Sequence, residues 1–400
     1  MKKIVVLSMP AYGHLLPMLG PIAELVRRGN EVVAYSSPEF ETLIRATGAG
    51  FVAYPRALDA MDFAQTLKTG NLIAAFEKLL GATPILADFV LQRLPGERPD
   101  VVVFDSSAFW GYIAVRKLRL PNVSDSPIFA FELMRNLVSW RELWGHTRNF
   151  VPRMFRLAVL VSRLFRFGIG NLPHATPMVP LRGERTIMLT SRELHPKTNL
   201  VNDPSFVFSG ASIDARTRPD PFDFARLDGR PLILISMGTV QFLNDRFFRL
   251  CMDTFADYPA QFLLAAGPGS DVNRFGPVPD NFIVQQTFPQ MPVLERAALF
   301  ITHCGLGSVH ETLWNGVPFV AVPQHFEQLR NALAAERHGA GIILDDECFG
   351  RRIEGPQLRA TVDKVLADPA YRQNAVRIGE TLKSAGGYRK VADVIESMAR

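Results

Sequence analysis

The sequence has few cysteines and no long uninterrupted apolar run. Its three cysteines lie far apart, which argues against a disulfide framework and favours a reducing compartment. No stretch reaches the roughly 18 uninterrupted apolar residues that a membrane-spanning helix needs. The basic start Met1–Lys3 precedes the apolar run Ile4–Leu7, but no small-residue cleavage site of a secretory signal follows in the usual place. We therefore expect a cytoplasmic protein.

The sequence also lacks the features of nucleic-acid-binding and metal-binding proteins. Its 44 Lys and Arg against 39 Asp and Glu give a net charge of +5, spread along the chain rather than massed in one tract. This mild excess is weak support for an anionic substrate or a membrane surface, and it does not indicate a nucleic-acid partner. There is no Asp-x-Asp motif and no His/Cys cluster with the spacing of metal ligands. No metal and no other cofactor is expected.

Alternating strand and helix patterns run along the 400 residues, a length above the roughly 250–300 at which a single core stops growing. Lys3–Ser8 is a short β-branched run, and a helical pattern follows it as far as Val26. Further predicted strands are Glu31–Tyr35, Asp100–Phe104, Leu232–Ser236, Phe262–Ala266, Phe282–Gln285, Leu299–Thr302 and Phe319–Val322. The alternation predicts doubly wound parallel sheets in two α/β domains.

A polar segment that contains prolines, Ser212–Pro221, separates the two series of elements. We predict a first domain of residues 1–211, a linker of residues 212–230 and a second domain of residues 231–380. The remaining residues, 381–400, are predicted to form a helix that packs back on the first domain.

A strand, a glycine-containing turn and a helix start follow one another between residues 299 and 311. The predicted strand ends beside His303, Gly305-Leu306-Gly307 forms the turn, and the helix begins at Ser308. Such an arrangement presents backbone N–H groups at the positive end of a helix dipole, which is an anion site. His303 can donate to a phosphate there, and Glu311 can accept from ribose hydroxyls. Ser308 and Glu311 also fit a capping box that only satisfies the helix end.

The stretch from residue 301 to residue 332 resembles the nucleotide-sugar signature of family-1 glycosyltransferases with the GT-B fold. The matching residues are His303, Gly305, Ser308, Glu311, Gly316-Val317-Pro318, Pro323, Glu327-Gln328 and Asn331-Ala332. The resemblance continues upstream in Pro289-Gln290 and in Ser236-Met237-Gly238-Thr239. It implies a diphosphate site at Ser236, Gly238, Thr239, His303, Gly305, Gly307 and Ser308. It also implies ribose contact by Glu311, contact with the base region by Gln290, and sugar contact by Glu327 and Gln328.

Two positions depart from that signature. Many relatives carry a base-stacking Trp two residues before the Pro-Gln pair, where this chain has Thr287, with Phe288 as the adjacent aromatic and candidate donor contact. Relatives often have Asp where this chain has Glu327, which leaves the carboxylate one methylene further out. The identity of the base and the sugar therefore stays open, with a UDP-glucose type of donor favoured.

His14 follows Tyr12-Gly13 where a predicted strand passes into a helix, and Asp105 ends another predicted strand. Ligands of doubly wound sheets bind at the carboxyl ends of strands. A helix N-terminus disfavours imidazolium, so His14 suits a general base, and Asp105 can orient it. A loop histidine alone is more often structural, but the resemblance implies that His14 and Asp105 are the catalytic pair.

Residues 129–170 combine large apolar side chains with arginines. One interpretation is amphipathic helices on a core, and the other is an apolar acceptor pocket or a face in peripheral contact with a membrane. The candidate acceptor contacts are Phe129, Phe131, Met134, Trp140 and Trp144.

The resemblance implies a GT-B fold, two Rossmann-like domains facing across a cleft, with the acceptor on the first and the nucleotide-sugar on the second. It implies an inverting, metal-independent hexosyltransferase whose partners are a nucleotide-sugar donor and a small apolar acceptor such as a natural product. Sugar transfer to a membrane lipid, and a nucleotide-sugar epimerase or hydrolase on the same fold, are the alternatives.

Overall fold

The computed structural model describes residues 1–57, 66, 72–130, 148, 151–167, 181–214, 222–238, 244–344 and 352–400. The chain divides into two compact units. Unit 1 comprises Met1–Thr217 with Ser384–Arg400, and unit 2 comprises Arg218–Lys383. Each unit is built on one sheet whose strands are all parallel.

Unit 1 contains a seven-stranded sheet in the order β3-β2-β1-β4-β5-β6-β7. Its strands are β1 (Lys3–Leu7), β2 (Glu31–Ser36), β3 (Gly50–Ala53), β4 (Val101–Asp105), β5 (Asn122–Ser126), β6 (Arg185–Met188) and β7 (Phe206–Phe208). Its first helices are α1 (Tyr12–Arg27), α2 (Glu41–Arg45), α3 (Leu72–Glu97), α4 (Phe109–Leu118) and α5 (Met154–Leu164). Helices cover both faces of such a sheet, so its central strands are nearly continuous apolar runs.

The strand order of unit 1 reverses at β1, which lies between β2 and β4. The chain therefore leaves β1 and β4 toward opposite faces, and a crevice opens outside their carboxyl ends. The first turn of α1 follows β1, and Asp105 is the last residue of β4. This topology places the two predicted catalytic residues at the same edge of the sheet.

Unit 2 contains a six-stranded sheet in the order β10-β9-β8-β11-β12-β13. Its strands are β8 (Leu232–Ser236), β9 (Gln261–Ala265), β10 (Phe282–Gln285), β11 (Ala297–Thr302), β12 (Phe319–Ala321) and β13 (Gly341–Ile343). Its helices are α6 (Asn244–Phe255), α7 (Gln290–Leu294), α8 (Leu306–Trp314), α9 (Phe326–Glu336), α10 (Gly355–Ala367) and α11 (Pro369–Ser384). The order reverses at β8, so the segments after β8 and β11 leave adjacent strand ends.

The last helix, α12 (Gly387–Met398), belongs to unit 1 and packs against α1. Its Val391 and Ile395 are buried in the same apolar cluster as Leu15 and Ile22 of α1. Amphipathic helices of this kind are held mainly by the burial of one apolar face.

Ion pairs reinforce the contact between α1 and α12. The Arg28 guanidinium lies 2.9 Å from Glu24, 2.7 Å from Asp393 and 2.7 Å from Glu396. Glu24 also accepts hydrogen bonds from Arg27. The hydrogen bond from Arg27, together with those from Arg28 and against the effect of burial, lowers the pKa of Glu24 to about 2.

The predicted fold class is confirmed, and several predicted bounds differ. The strands Leu232–Ser236 and Phe282–Gln285 have the predicted ends, whereas β1 stops at Leu7. Helix α8 begins at Leu306 rather than at the predicted Ser308. Within the described ranges, no helix is long and apolar enough to cross a bilayer.

Candidate active site

The geometry of unit 1 brings His14 and Asp105 together. His14 is the third residue of α1, and its backbone N–H donates to the Ala11 carbonyl at 3.0 Å. Its ring Nδ1 lies 2.7 Å from Oδ2 of Asp105, with the two side chains 20% and 2% exposed. An ionised carboxylate only accepts, so Nδ1 carries the hydrogen in this pair and the ring lone pair is on Nε2. That tautomer is the one a general base requires.

The Asp105 carboxylate is fixed through both of its oxygens. Oδ2 accepts from His14, and Oδ1 accepts from the backbone N–H of Ser107 at 2.7 Å. Hydrogen bonds to a charged acceptor are stronger than neutral ones, and two of them define the carboxylate's orientation. Asp105 can therefore hold the imidazole in place and stabilise the imidazolium that forms when His14 takes a proton.

A second buried carboxyl, Asp125, lies beside this pair, and the sequence analysis missed it. Strands β4 and β5 pair in a register that sets Asp105 opposite Asp125. Asp125 is 1% exposed, and within the described ranges its Oδ2 has no hydrogen-bond partner. Burial raises its pKa well above the usual range, the charge of Asp105 adds to the rise, and His14 opposes it. The only sequence signal was a polar Ser-Asp-Ser run where a buried strand would be apolar.

In unit 2, the His303 imidazole lies between two glycines. A Cβ at Gly238 would come 2.6 Å from Cε1 and Nε2 of that ring, and a Cβ at Gly305 would come 2.7 Å from Nε2. Gly238 also has a φ of +80°, which side chains rarely adopt. These two glycines were predicted to admit a phosphate; the structure shows that they make room for His303.

His303 is buried, and its ring is neutral near neutral pH. Burial and, to a smaller extent, the neighbouring His325 lower the pKa of His303 to about 4, against a backbone hydrogen bond at Ser236 that raises it. Within the described ranges its Nδ1 has no hydrogen-bond partner. A neutral imidazole donates a hydrogen bond but carries no positive charge. The expectation that His303 helps to neutralise a diphosphate therefore applies only if the ring gains a proton when the anion binds.

The first turn of α8 faces open space. Gly305 is the N-cap, with no side-chain capping bond, and Ser308 is the third helical residue, so the capping-box alternative does not describe this helix start. A Cβ at Gly307 would meet nothing within 4 Å. The preceding residue Cys304 has a φ of +61°, a strained conformation held by hydrogen bonds from Cys304 N to Thr302 and from Asn331 to the Cys304 carbonyl. Gly307 is exposed in this first turn, and anion binding by the helix end stays a prediction.

The predicted donor contacts Gln290 and Glu311 lie against each other. Nε2 of Gln290, the first residue of α7, donates to Oε2 of Glu311 at 2.7 Å. Glu311 is buried one turn into α8. This hydrogen bond orients the carboxylate, and contact of Glu311 with a ribose stays a prediction.

Phe288 is not placed as the sequence analysis expected. Its side chain is 8% exposed and packs in an apolar cluster with Leu232 and Leu263. Its ring meets Phe222 edge to face, with centroids 5.3 Å apart. The ring is therefore part of the apolar packing of unit 2, and its contact with a donor stays a prediction.

Glu327 and Gln328 differ in what they can offer a sugar. Glu327 is partly exposed in the first turn of α9, and its Oε1 accepts from Asn331 at 2.7 Å. Gln328 is buried, and its Oε1 accepts from the Gln324 backbone N–H at 2.9 Å. The side-chain amide of Gln324 has both polar atoms buried without a partner among the described residues, a signal that the sequence motif does not carry.

The candidate acceptor contacts are only partly described. Phe129 is 1% exposed, with its ring edge-on to His195 at 5.3 Å, and its contact with an acceptor stays a prediction. The other predicted contacts and one diphosphate contact lie outside the described residues: Phe131, Met134, Trp140, Trp144 and Thr239. Ser236 ends β8, and its Oγ accepts from the Gly238 N–H at 3.4 Å.

Helix α5 is the described part of the apolar, arginine-containing stretch, and it supports both interpretations in part. Leu157 and Leu164 are buried in the core of unit 1, whereas Phe155 is 80% exposed. Arg156 pairs with Glu77 at 2.7 Å, and Arg166, just after α5, pairs with Asp88 at 2.6 Å. One face of α5 is therefore core, and the opposite face keeps an apolar surface.

Among the described side chains, no group of three or more His, Cys, Asp or Glu is arranged to hold a metal ion.

Comparison with known proteins finds glycosyltransferases along the whole chain. The profile of the erythromycin biosynthesis protein CIII-like C-terminal domain family matches residues 249–398. The uncharacterized UDP-glucosyltransferase YojK of Bacillus subtilis is 28% identical, covering 99% of this chain and 97% of that protein. The oleandomycin glycosyltransferase of Streptomyces antibioticus is 28% identical, covering 98% of this chain and 90% of that protein.

Solved structures that resemble the whole chain are also glycosyltransferases. The glycosyltransferase of kitacinnamycin is 27% identical with a TM-score of 0.82, covering 100% of this chain and 99% of that one. The calicheamicin glycosyltransferase is 26% identical with a TM-score of 0.78, covering 100% and 98%. The two doubly wound units and these structural similarities define the fold as that of glycosyltransferases. The chain has the GT-B fold, and the matched domain profile and the relatives along the chain support a family-1 glycosyltransferase.

Proposed function

We propose that this protein transfers a hexose, with inversion and without a metal ion, from a nucleotide diphosphate sugar to a hydroxyl of a small apolar acceptor. The observation that carries the proposal is the 2.7 Å contact between Nδ1 of His14 and the buried Asp105 carboxylate. A base of this kind activates a hydroxyl and has no other evident use at the carboxyl end of the sheet.

His14 takes the proton of the acceptor hydroxyl on Nε2, and Asp105 stabilises the resulting imidazolium. The acceptor oxygen attacks the anomeric carbon from the side opposite the diphosphate, and the nucleoside diphosphate leaves. Attack from that side inverts the configuration at the anomeric carbon.

The donor is held by unit 2. The first-turn amides of α8 and the Nδ1 side of His303 bind the diphosphate, and Ser236 adds a hydroxyl. Glu311, oriented by Gln290, accepts from the ribose. Glu327 accepts from sugar hydroxyls.

The names of relatives support the class of substrates. YojK is named a UDP-glucosyltransferase, and the Streptomyces antibioticus relative is named for oleandomycin. We propose a donor of the UDP-glucose type and an acceptor that is a natural product.

The test is incubation with UDP-α-glucose and a panel of hydroxylated apolar aglycones, with the anomeric configuration of the product determined by NMR. A β-glucoside formed equally well in EDTA supports the proposal. An α-linked product contradicts inversion, and activity lost in EDTA but restored by Mg²⁺ or Mn²⁺ contradicts the metal-free diphosphate site. Sugar conversion without any acceptor would point to an epimerase or a hydrolase.

A lipid acceptor at a membrane surface is a second candidate, favoured by the exposed Phe155 on α5. Its test is co-sedimentation with anionic vesicles, comparing the native protein with Phe155→Ser. Binding that the substitution abolishes would favour the lipid acceptor, and no binding of the native protein would exclude this candidate.

A further inference from the structure

Asp125 is a buried acidic residue that the proposed reaction does not use. It lies opposite Asp105 on the neighbouring parallel strand, at the strand ends where His14 is held. Residues paired in register on parallel strands point to the same side of the sheet, about 4.8 Å apart. Two carboxyl groups so placed, both excluded from water, cannot both be ionised without a large cost.

The two carboxyl groups differ in the hydrogen bonds that they accept. Both oxygens of Asp105 accept hydrogen bonds, one from His14 and one from Ser107. Oδ2 of Asp125 accepts none from the described residues. A hydrogen bond from its own backbone lowers the pKa of Asp125, but burial and the charge of Asp105 raise it. Two hydrogen bonds to the Asp105 carboxylate favour Asp105 as the charged member of the pair.

The surroundings of Asp125 contain few other charges. Asp105 on β4 and His14 on α1 are the titratable groups that act on it electrostatically. Its register partner on β6 is Ile187, which is apolar. Tyr54, whose pKa is raised by burial, lies within electrostatic reach of Asp105 and stays neutral.

We infer that Asp105 and Asp125 form a coupled pair that holds a single negative charge against His14, with Asp125 as a proton-bearing positioning residue. This inference rests on the proposed function of His14 as the base. With both carboxyls ionised, the imidazolium would be stabilised so strongly that His14 would already hold the proton it must accept. A protonated Asp125 keeps His14 available while Asp105 still supports the imidazolium.

The coupling predicts how the site responds when Asp105 is neutralised. In Asp105→Asn, the like charge that kept Asp125 protonated is gone, so Asp125 becomes easier to ionise. It then supplies part of the lost negative charge to His14. Removing Asp125 should therefore matter more in the Asp105→Asn background than in the native protein, and a merely structural role would give equal effects in both.

The experiment is a double-mutant cycle of native, Asp125→Asn, Asp105→Asn and the double variant, with Asp125→Ser as a second neutral substitution. The ring signals of His14 are titrated by NMR, and kcat is measured against pH. We expect the His14 midpoint to stay in place in both neutral Asp125 variants. It should fall in Asp105→Asn and fall again in the double variant. The cost in kcat of removing Asp125 should be ~10-fold larger in the Asp105→Asn background, the effect of about one unit of pKa.

A protonated Asp125 carboxyl should also appear in the infrared spectrum of the native protein at neutral pH and be absent from Asp125→Asn. A lower His14 midpoint in Asp125→Asn, or no protonated acid band, would overturn the inference because Asp125 would then be ionised. The NMR and infrared measurements need no turnover, so absence of glycosyl transfer would count against the proposed function and leave the carboxyl pair separately testable.

Discussion

Gly307 and Gly238 allow the donor site to be tested separately from the fold. A Cβ at Gly307 meets nothing within 4 Å, and the residue lies in the first turn of α8. Alanine is more favourable than glycine in a helix by roughly 0.5–1 kcal/mol. Gly307→Ala should therefore keep or slightly raise the free energy of unfolding. The new methyl group would occupy the space through which a phosphate approaches the helix amides, so donor affinity should fall.

Gly238→Ala is the matched contrast. Its φ of +80° costs an alanine about 1–2 kcal/mol, and its Cβ would come 2.6 Å from the buried His303 ring. Displacing a packed ring typically costs a further 1–3 kcal/mol, roughly. We expect a loss of about 2–5 kcal/mol of unfolding free energy in this variant. Thermal unfolding and calorimetric titration with UDP-glucose measure both properties.

The two variants should therefore separate affinity from stability. If Gly307→Ala binds the donor as tightly as the native protein does, the diphosphate does not approach the first turn of α8. If Gly238→Ala is as stable as the native protein, the packing of His303 between two glycines has been misread.

Three further predictions concern His14, Glu24 and Glu327. His14→Ala should lower kcat by at least ~10²-fold while donor affinity barely changes, and near-native turnover would remove His14 as the base. Because the folded-state pKa of Glu24 is depressed to about 2, its contribution to stability is present above the unfolded value near 4.5 and is lost as pH falls toward 2. Replacing both Arg27 and Arg28 by Ala should therefore flatten the fall in unfolding free energy over that window, and an unchanged acid profile would refute the role of the network. Glu327→Gln should reduce the preference for UDP-glucose over dTDP-linked deoxysugars in competition assays, and full retention of glucose transfer would show that Glu327 is not the sugar contact.

The sequence predicted the fold class well because alternation of short apolar runs with helical patterns is a local property. It also predicted the His14–Asp105 contact, since strand ends in a doubly wound sheet meet at a known edge. The sequence patterns did not predict five of the strands, which are short or polar: β3, β5, β6, β7 and β13. Strand β5 reads Asn-Val-Ser-Asp-Ser, which no hydrophobic pattern marks as buried.

Other features of the structure depend on tertiary contacts that the sequence alone does not reveal. Asp125 matters because of the register between β4 and β5, which sequence spacing does not encode. Phe288 turns into the core of unit 2, and nothing in a Phe-Pro-Gln run says which way the ring points. Gly238 and Gly305 match a phosphate-loop pattern, and in the structure both make room for the His303 ring. Gly238 is distant from His303 in sequence, so the sequence does not reveal this contact.

The packing of α12 on α1 sets an order for the assembly of unit 1 during synthesis. The core of this unit is filled in part by Val391 and Ile395, although all of unit 2 is encoded between the two segments of unit 1. Until α12 has been made, the apolar face of α1 lacks the partner that covers it. An incomplete chain would therefore expose this face, which is the surface on which it would aggregate or bind a chaperone.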